Sequence, residues 1–419
     1  MIGDYRRYNM KQPPLRQKHY LRPLIWGLSF LDTFRHKAII NRIGMEGVKP
    51  PYLLLCNHNS FLDFKVMTAA IFPHRANYVV AIDGFIKRKW LMRLVGCICT
   101  RKFTNDLMLV KNMLYVILQG DIVVLYPEAR YSLCGTNAVL PDSLGKLIKK
   151  MNVPVVTLIM HGHHVNSPFW NTKSRSVKPI EAELKLLYTP EQVQGLTVNE
   201  INADLEKAFE YDDFKWQKEK GIHIKYPHRA EGLHKVLYQC PHCHSEYQME
   251  SKGDALWCNH CGKKWSMSTL GELKAEEGET EFSHIPDWYG WERENVRREI
   301  EAGTYHFQSK AIVYSLPDAK GFINLGTATL IHSMKGFLLK GSHNSIPYEL
   351  TWSPQALYSC HIEYNYRKRG ECIDLNTNHE TLYIYPQTKE FSVTKISLAT
   401  EELYKMTQIQ KNEKYSIAL

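Results

Sequence analysis

Three short apolar runs frame the first half of the chain. They span residues 52–56 (Tyr-Leu-Leu-Leu-Cys), 122–126 (Ile-Val-Val-Leu-Tyr) and 153–160 (Val-Pro-Val-Val-Thr-Leu-Ile-Met). Near-continuous runs of this length suit parallel strands covered on both faces. Shorter strands are expected at 78–82 and within 96–103. Helical stretches separate them: 63–71, a basic amphipathic segment at 86–95, 106–118 with Asn105 as cap and Gly120 as stop, and 143–151. This alternation predicts a mostly parallel α/β sheet flanked by helices. Ligands of such sheets collect beyond the carboxyl ends of the strands. The runs here end in polar residues, namely Asn57-His58-Asn59-Ser60, Arg101-Lys102, Pro127-Glu128-Ala129-Arg130 and His161-Gly162-His163-His164.

The pattern changes further on. Residues 189–214 read as two helices, with Pro190 opening the first and Thr197 capping the second. An acidic, aperiodic stretch at 272–281 reads as a linker, and 288–300 as a short charged helix. From residue 305 short alternating strands follow, at 311–315, 328–331, 337–340, 357–364, 372–375, 381–385 and 391–393, with a closing helix at 399–406. Seven strands and a final helix resemble a pleckstrin-homology-like barrel, with a β-sandwich as the alternative. The expected organisation is an α/β domain at 1–230, a cysteine knuckle unit at 231–270, a linker and helix at 271–302, and a β-rich domain at 303–419.

Composition narrows the setting. With 419 residues, 44% hydrophobic and 23% charged, the chain can bury ample core without disulfides. A net charge of +10 favours an anionic partner. No apolar run reaches the roughly 18 residues of a membrane span, and the first twenty residues are polar and basic, unlike a signal peptide. The chain is therefore expected in the cytoplasm. Arg6, Arg7, Lys11, Arg16, Lys18 and Arg22 precede an apolar, Trp26-containing segment. That order suits a helix lying on an anionic membrane surface, peripheral on its inner face, and equally a first helix packed on the core.

Cys240, Cys243, Cys258 and Cys261 form two CxxC pairs separated by fourteen residues. Two such knuckles complete a closed tetrahedral site, so a structural zinc held in a zinc ribbon is expected. The knuckles carry little basic charge beyond Lys263-Lys264, which disfavours nucleic acid as the partner. Cys97 and Cys99 are read as core.

His58 and Asp63 stand five positions apart where a helix opens. A carboxylate beside an imidazole fixes its tautomer and stabilises its protonated form. The other ring nitrogen can then take a proton from an alcohol. Taken alone, the pair is equally a helix cap after a strand. His161, His163 and His164 have no acidic neighbour in sequence and read as a surface or phosphate-facing cluster.

Four blocks in order give a resemblance. Asn57-His58 followed by Asp63, with Ser60 between, is the first. Gly96 with Arg101 or Lys102 is the second. Tyr126, Pro127, Glu128 and Ser132 form the third, from which Ala129, Arg130 and Tyr131 depart. Val153 to Val156, closed by Gly162, is the fourth. Over roughly residues 25–230 the chain resembles the glycerolipid acyltransferase superfamily, typified by 1-acyl-glycerol-3-phosphate acyltransferases. The resemblance implies acyl transfer from acyl-CoA or acyl-ACP to a lysophospholipid acceptor. It implies His58 and Asp63 as the catalytic pair and Asn57, Ser60, Arg101, Lys102, Glu128 and Arg130 as substrate contacts. The altered third block leaves open another alcohol acceptor, or an inactive lipid-binding scaffold.

Overall fold

The structure, a computed structural model, describes residues 2–417, with side chains described to residue 410. The first sheet contains β1 (Ile39–Ile43), β2 (Leu53–Cys56), β3 (Ala76–Ala81), β4 (Cys97–Thr100), β5 (Ile122–Leu125), β6 (Val155–His161) and β7 (Glu181–Tyr188), in the order β1-β7-β6-β2-β5-β3-β4. The strands from β6 to β4 run parallel; β7 is antiparallel to β6 and parallel to β1. The sheet is thus mixed and mostly parallel, as the apolar runs predict.

Helices α1 (Arg22–Arg35), α2 (Leu62–Ala70), α3 (Lys89–Leu94), α4 (Leu107–Leu118), α5 (Ser143–Met151), α6 (His163–Asn166), α7 (Pro190–Gly195), α8 (Val198–Ala208) and α9 (Asp213–Glu219) surround it. Strand β2 shows how the core divides. Leu54 and Cys56 pack with Val66 and Met67 of α2, while Leu53 and Leu55 pack with Met113, Val116 and Ile148 of α4 and α5. Period-two alternation therefore buries both faces. Helix α4 is capped by Asp106, not Asn105: its carboxylate accepts from the amides of Met108 and Leu109 at 2.8 and 3.1 Å. Thr189 and Thr197 each form a capping box.

The second sheet is antiparallel, with β8 (Met249–Lys252), β9 (Ala255–Cys258), β10 (Lys264–Met267) and β11 (Leu273–Ala275) in the order β11-β10-β9-β8. Strand β11 lies inside the stretch expected to be a linker. It is ordered by pairing with β10, and Glu281 beyond it holds Lys263 at 2.6 Å. Buried Trp265 meets Trp288 of α10 (Ile285–Glu301) with ring centroids 5.0 Å apart.

The third sheet holds β12 (His306–Leu316), β13 (Ile323–Ser333), β14 (Gly336–His343), β15 (Ile346–Trp352), β16 (His361–Glu363), β17 (Cys372–Asn376) and β18 (Thr381–Pro386), in the order β15-β14-β13-β12-β18-β17-β16. Helix α11 (Val393–Ile417) packs on it and opens at Val393, so the strand expected at 391–393 is absent. This sheet seats directly on the first domain. The Tyr8 amide donates to the Pro317 carbonyl at 3.0 Å and the Lys87 amide to the Ala319 carbonyl at 2.9 Å.

Candidate active site

The carboxyl ends of β2, β5 and β6 converge on one carboxylate. Asp63, in the first turn of α2, is buried. Its Oδ2 accepts from the amides of Asn59 (2.7 Å) and Ser60 (3.0 Å) and faces His58 Nδ1 at 3.0 Å. Its Oδ1 faces His163 Nδ1 at 2.7 Å. Burial alone would raise the Asp63 carboxyl, but the hydrogen bonds from His163 and His58 outweigh it and hold it down to about 2. An ionised carboxylate only accepts, so the protons sit on the two Nδ1 atoms. His58 Nε2 is left as a basic nitrogen with no hydrogen-bond partner among the described residues. The His58 ring lies against Tyr126 and Tyr131, each with centroids 4.3 Å away.

His163 belongs to this unit, and the expectation of a surface or phosphate-facing histidine cluster is corrected: its ring is buried against Asp63. His163 and His164 are buried, and burial pushes His164 down to about 3 and His161 to about 4. Gly162 makes the approach possible. It sits at φ 84, and a Cβ there would stand 3.0 Å from the Trp216 ring. The available signal was that β6, paired with β2, must end beside Asn57 and His58.

Asn57 and Glu128 act as braces. The Asn57 amide both donates to and accepts from the backbone of Met160, at 2.9 Å each way, clamping the ends of β2 and β6. Buried Glu128 accepts from the His58 amide at 2.8 Å and the Ala138 amide at 2.7 Å. Burial pushes its carboxyl up to about 7 against those two donors. The Ser132 amide returns a bond to the His58 carbonyl at 2.8 Å. Ser60 Oγ accepts from the Leu62 amide at 3.3 Å, opening α2. Ala129 stands at φ 55, the left-handed region that a glycine would occupy without strain, so the third block keeps its turn despite losing its glycine.

The two arginines expected at the acceptor phosphate are engaged elsewhere. Buried Arg101 donates to the carbonyls of Pro317 (3.1 Å), Asn378 (3.4 Å) and His379 (2.8 Å). Buried Arg130 pairs with Glu401 of α11 at 2.7 Å. Both side chains are drawn out of the site by the C-terminal domain. Lys102 is half-buried and lines a small cavity with Asp83 and Asp374.

The four cysteines fit a zinc ion. Their Sγ atoms all lie within 4.8 Å of one another, with Cys240–Cys261 at 3.8 Å and Cys243–Cys258 at 3.7 Å. Zinc–sulfur bonds of about 2.3 Å set tetrahedral sulfur–sulfur edges of about 3.8 Å.

At the carboxyl ends of a mostly parallel sheet, a carboxylate-held imidazole with its second nitrogen unpaired is the arrangement that general-base chemistry requires. Residues 33–161 match the protein-family model described as Acyltransferase. The chain therefore carries an acyltransferase domain over these residues. Among solved structures it is similar to the 1-acyl-sn-glycerophosphate (LPA) acyltransferase PlsC from Thermotoga maritima, at 14% identity and a TM-score of 0.37, over 45% of this chain and 77% of that one. No curated protein matches the chain.

Proposed function

We propose that the protein moves an acyl group from a thioester of coenzyme A or acyl carrier protein to a glycerolipid hydroxyl, with a 1-acyl-glycerol-3-phosphate-like acceptor first in line. The observation that carries this is the 3.0 Å contact of His58 Nδ1 with an Asp63 held from three other sides. His58 Nε2 takes the hydroxyl proton as the oxygen attacks the thioester carbonyl. Asp63 stabilises the imidazolium, and the departing thiolate recovers the proton. Glu128 and Asn57 hold the backbone around the base and touch no reacting atom. Of the three cations expected at the acceptor phosphate, Lys102 alone is not bound to a backbone carbonyl or to Glu401 and is the one that could turn to it.

Membrane-surface work is supported by α1, whose polarity is inverted. Ser29 and Thr33 face inward, whereas Leu24 is 62% and Phe34 83% exposed. Phe61, three residues from the base, is 72% exposed. Such a face suits insertion at the inner leaflet beside a basic N-terminus. No helix among the described residues is long and apolar enough to cross a membrane. The four cysteines would hold zinc as a closed structural site in a ribbon. The seven-strand order with its terminal helix supports a pleckstrin-homology-like reading of the third sheet.

A second reading, a hydroxyl acceptor without phosphate, is favoured by the engagement of Arg101 and Arg130. Acyl-transfer assays over lysophosphatidate, other lysophospholipids and neutral alcohols, with chromatographic detection of product, separate the two. Turnover of lysophosphatidate that falls with Lys102→Ala supports the first. Turnover of neutral acceptors alone supports the second, and no transfer to any acceptor would overturn both.

A further inference from the structure

We infer that the chain holds a divalent first-row metal ion of the Mn2+ class between His361, Glu363 and Asp374, at the seam between the first domain and the C-terminal sheet. His361 and Glu363 alternate along β16 and share a face; Asp374 on β17 is the register partner of His361. His361 Nε2 therefore lies 3.2 Å from Glu363 Oε1 and 3.9 Å from Asp374 Oδ2. Ligand atoms bound about 2.1 Å from one ion stand roughly 3.0 to 3.4 Å apart. A closure of about half an ångström at Asp374 completes the set.

The surroundings call for a cation. His361 is 3% exposed and Asp374 4%. Among the described residues, the one hydrogen bond Asp374 accepts is a weak one from the Cys372 thiol at 3.5 Å. Buried carboxylates ordinarily receive N–H donors or a paired cation. Asp374 instead lines a small cavity with Asp83 and Lys102. Counting Glu363, three carboxylates share one lysine. Arg101 also borders the cavity, but its guanidinium points to backbone carbonyls and its charge is set against Asp106 and Glu380. His361 Nε2 faces the Glu363 carboxylate while Nδ1 has no partner, so an ion bound at Nε2 would send the ring proton to the unpartnered Nδ1. A divalent ion would remove the excess negative charge and use the Nε2 lone pair. One imidazole with two carboxylates is a harder donor set than four thiolates and favours Mn2+, Fe2+ or Zn2+.

The ion would not touch reacting atoms. His361 packs on Phe169 (6.2 Å), Phe169 on Tyr131 (5.7 Å) and Tyr131 on His58 (4.3 Å). Two rings, Phe169 and Tyr131, separate the His361 ligand from the base, so the ion fastens the wall against which His58 rests.

The test is a Mn2+ titration of the full-length protein, followed by the electron paramagnetic resonance of free Mn2+. Thiolate sites discriminate against Mn2+, and zinc measured on the same samples reports the cysteine site separately. The expected result is one Mn2+ per chain, bound about tenfold or more weakly by Asp374→Asn and by Glu363→Gln. Mn2+ should also raise the melting temperature of the wild type and not that of Asp374→Asn. Wild-type protein that binds no Mn2+ at millimolar concentration overturns the proposal, as does equal binding by the variants. Should Asp374→Asn fail to fold, the wild-type titration and Glu363→Gln decide, since Glu363 is only partly buried.

Discussion

Glu401 on α11 is where the C-terminal domain grips the loop beside the base. Its Oε1 accepts from Arg130 at 2.7 Å and from Ser359 Oγ at 2.8 Å, and its Oε2 from Arg293 at 2.7 Å. Burial would raise its carboxyl, yet the charges of Arg130 and Arg293 hold it down to about 2. Glu401→Gln keeps the shape and removes the charge, leaving Arg130 buried without an anion. Removing one partner of a buried pair costs about 3 to 5 kcal/mol. Arg293 keeps Glu402 at 2.8 Å, which places the expected loss near the lower end of that range. Arg130 adjoins Tyr131 and lies two residues before Ser132, which rest on the His58 ring and carbonyl. Turnover should therefore fall along with stability. Urea denaturation followed by tryptophan fluorescence, with initial rates on the same preparations, measures both. Arg130→Met should cost a similar amount, and the double variant much less than the sum, because the two side chains share one interaction. A loss below about 1 kcal/mol for Glu401→Gln, or additive losses in the double variant, refutes the reasoning.

Three further outcomes are expected. Asp63 is held at about 2 against an ordinary 3.8, so its contribution is present above the higher value and is lost as pH falls through the lower one. Acid unfolding between those values should flatten in Asp63→Asn, and an unchanged acid limb would contradict this. Metal analysis should find one zinc per chain, lost in a Cys240→Ser, Cys258→Ser double variant, whereas zinc retained there would rule out the cysteine site. Co-sedimentation with anionic vesicles should weaken with salt and with Leu24→Ser plus Phe34→Ser; binding indifferent to both changes would remove α1 as the docking face.

What could be read from the sequence depended on how locally each feature is encoded. The buried strands β2, β5 and β6 announce themselves because a strand covered on both faces needs an unbroken apolar run. Strands β1 and β15 do not: they are edge strands, largely exposed, and β15 carries Pro347. The His58–Asp63 pair is local, within one turn of chain, and its spacing shows it. His163 reaches the same carboxylate across 100 residues of sequence, and only the adjacency of β2 and β6 reveals it. The engagement of Arg130 by Glu401 spans 271 residues, and no periodicity carries such a pairing. The acidic stretch after the cysteines looked unstructured because its three-residue strand is ordered by its neighbour, not by its own pattern.

The most direct measurement is the turnover of His58→Ala, using the acceptor that the wild type acylates best. The protein must be folded, and the Asp63→Asn and double variants are measured beside it. The account predicts that kcat falls by roughly two to four orders of magnitude without His58, the usual worth of a general base. Asp63→Asn should lose much of that, and the double variant little more, because base and orienting carboxylate act as a unit. Near-normal turnover by folded His58→Ala contradicts the account at its centre.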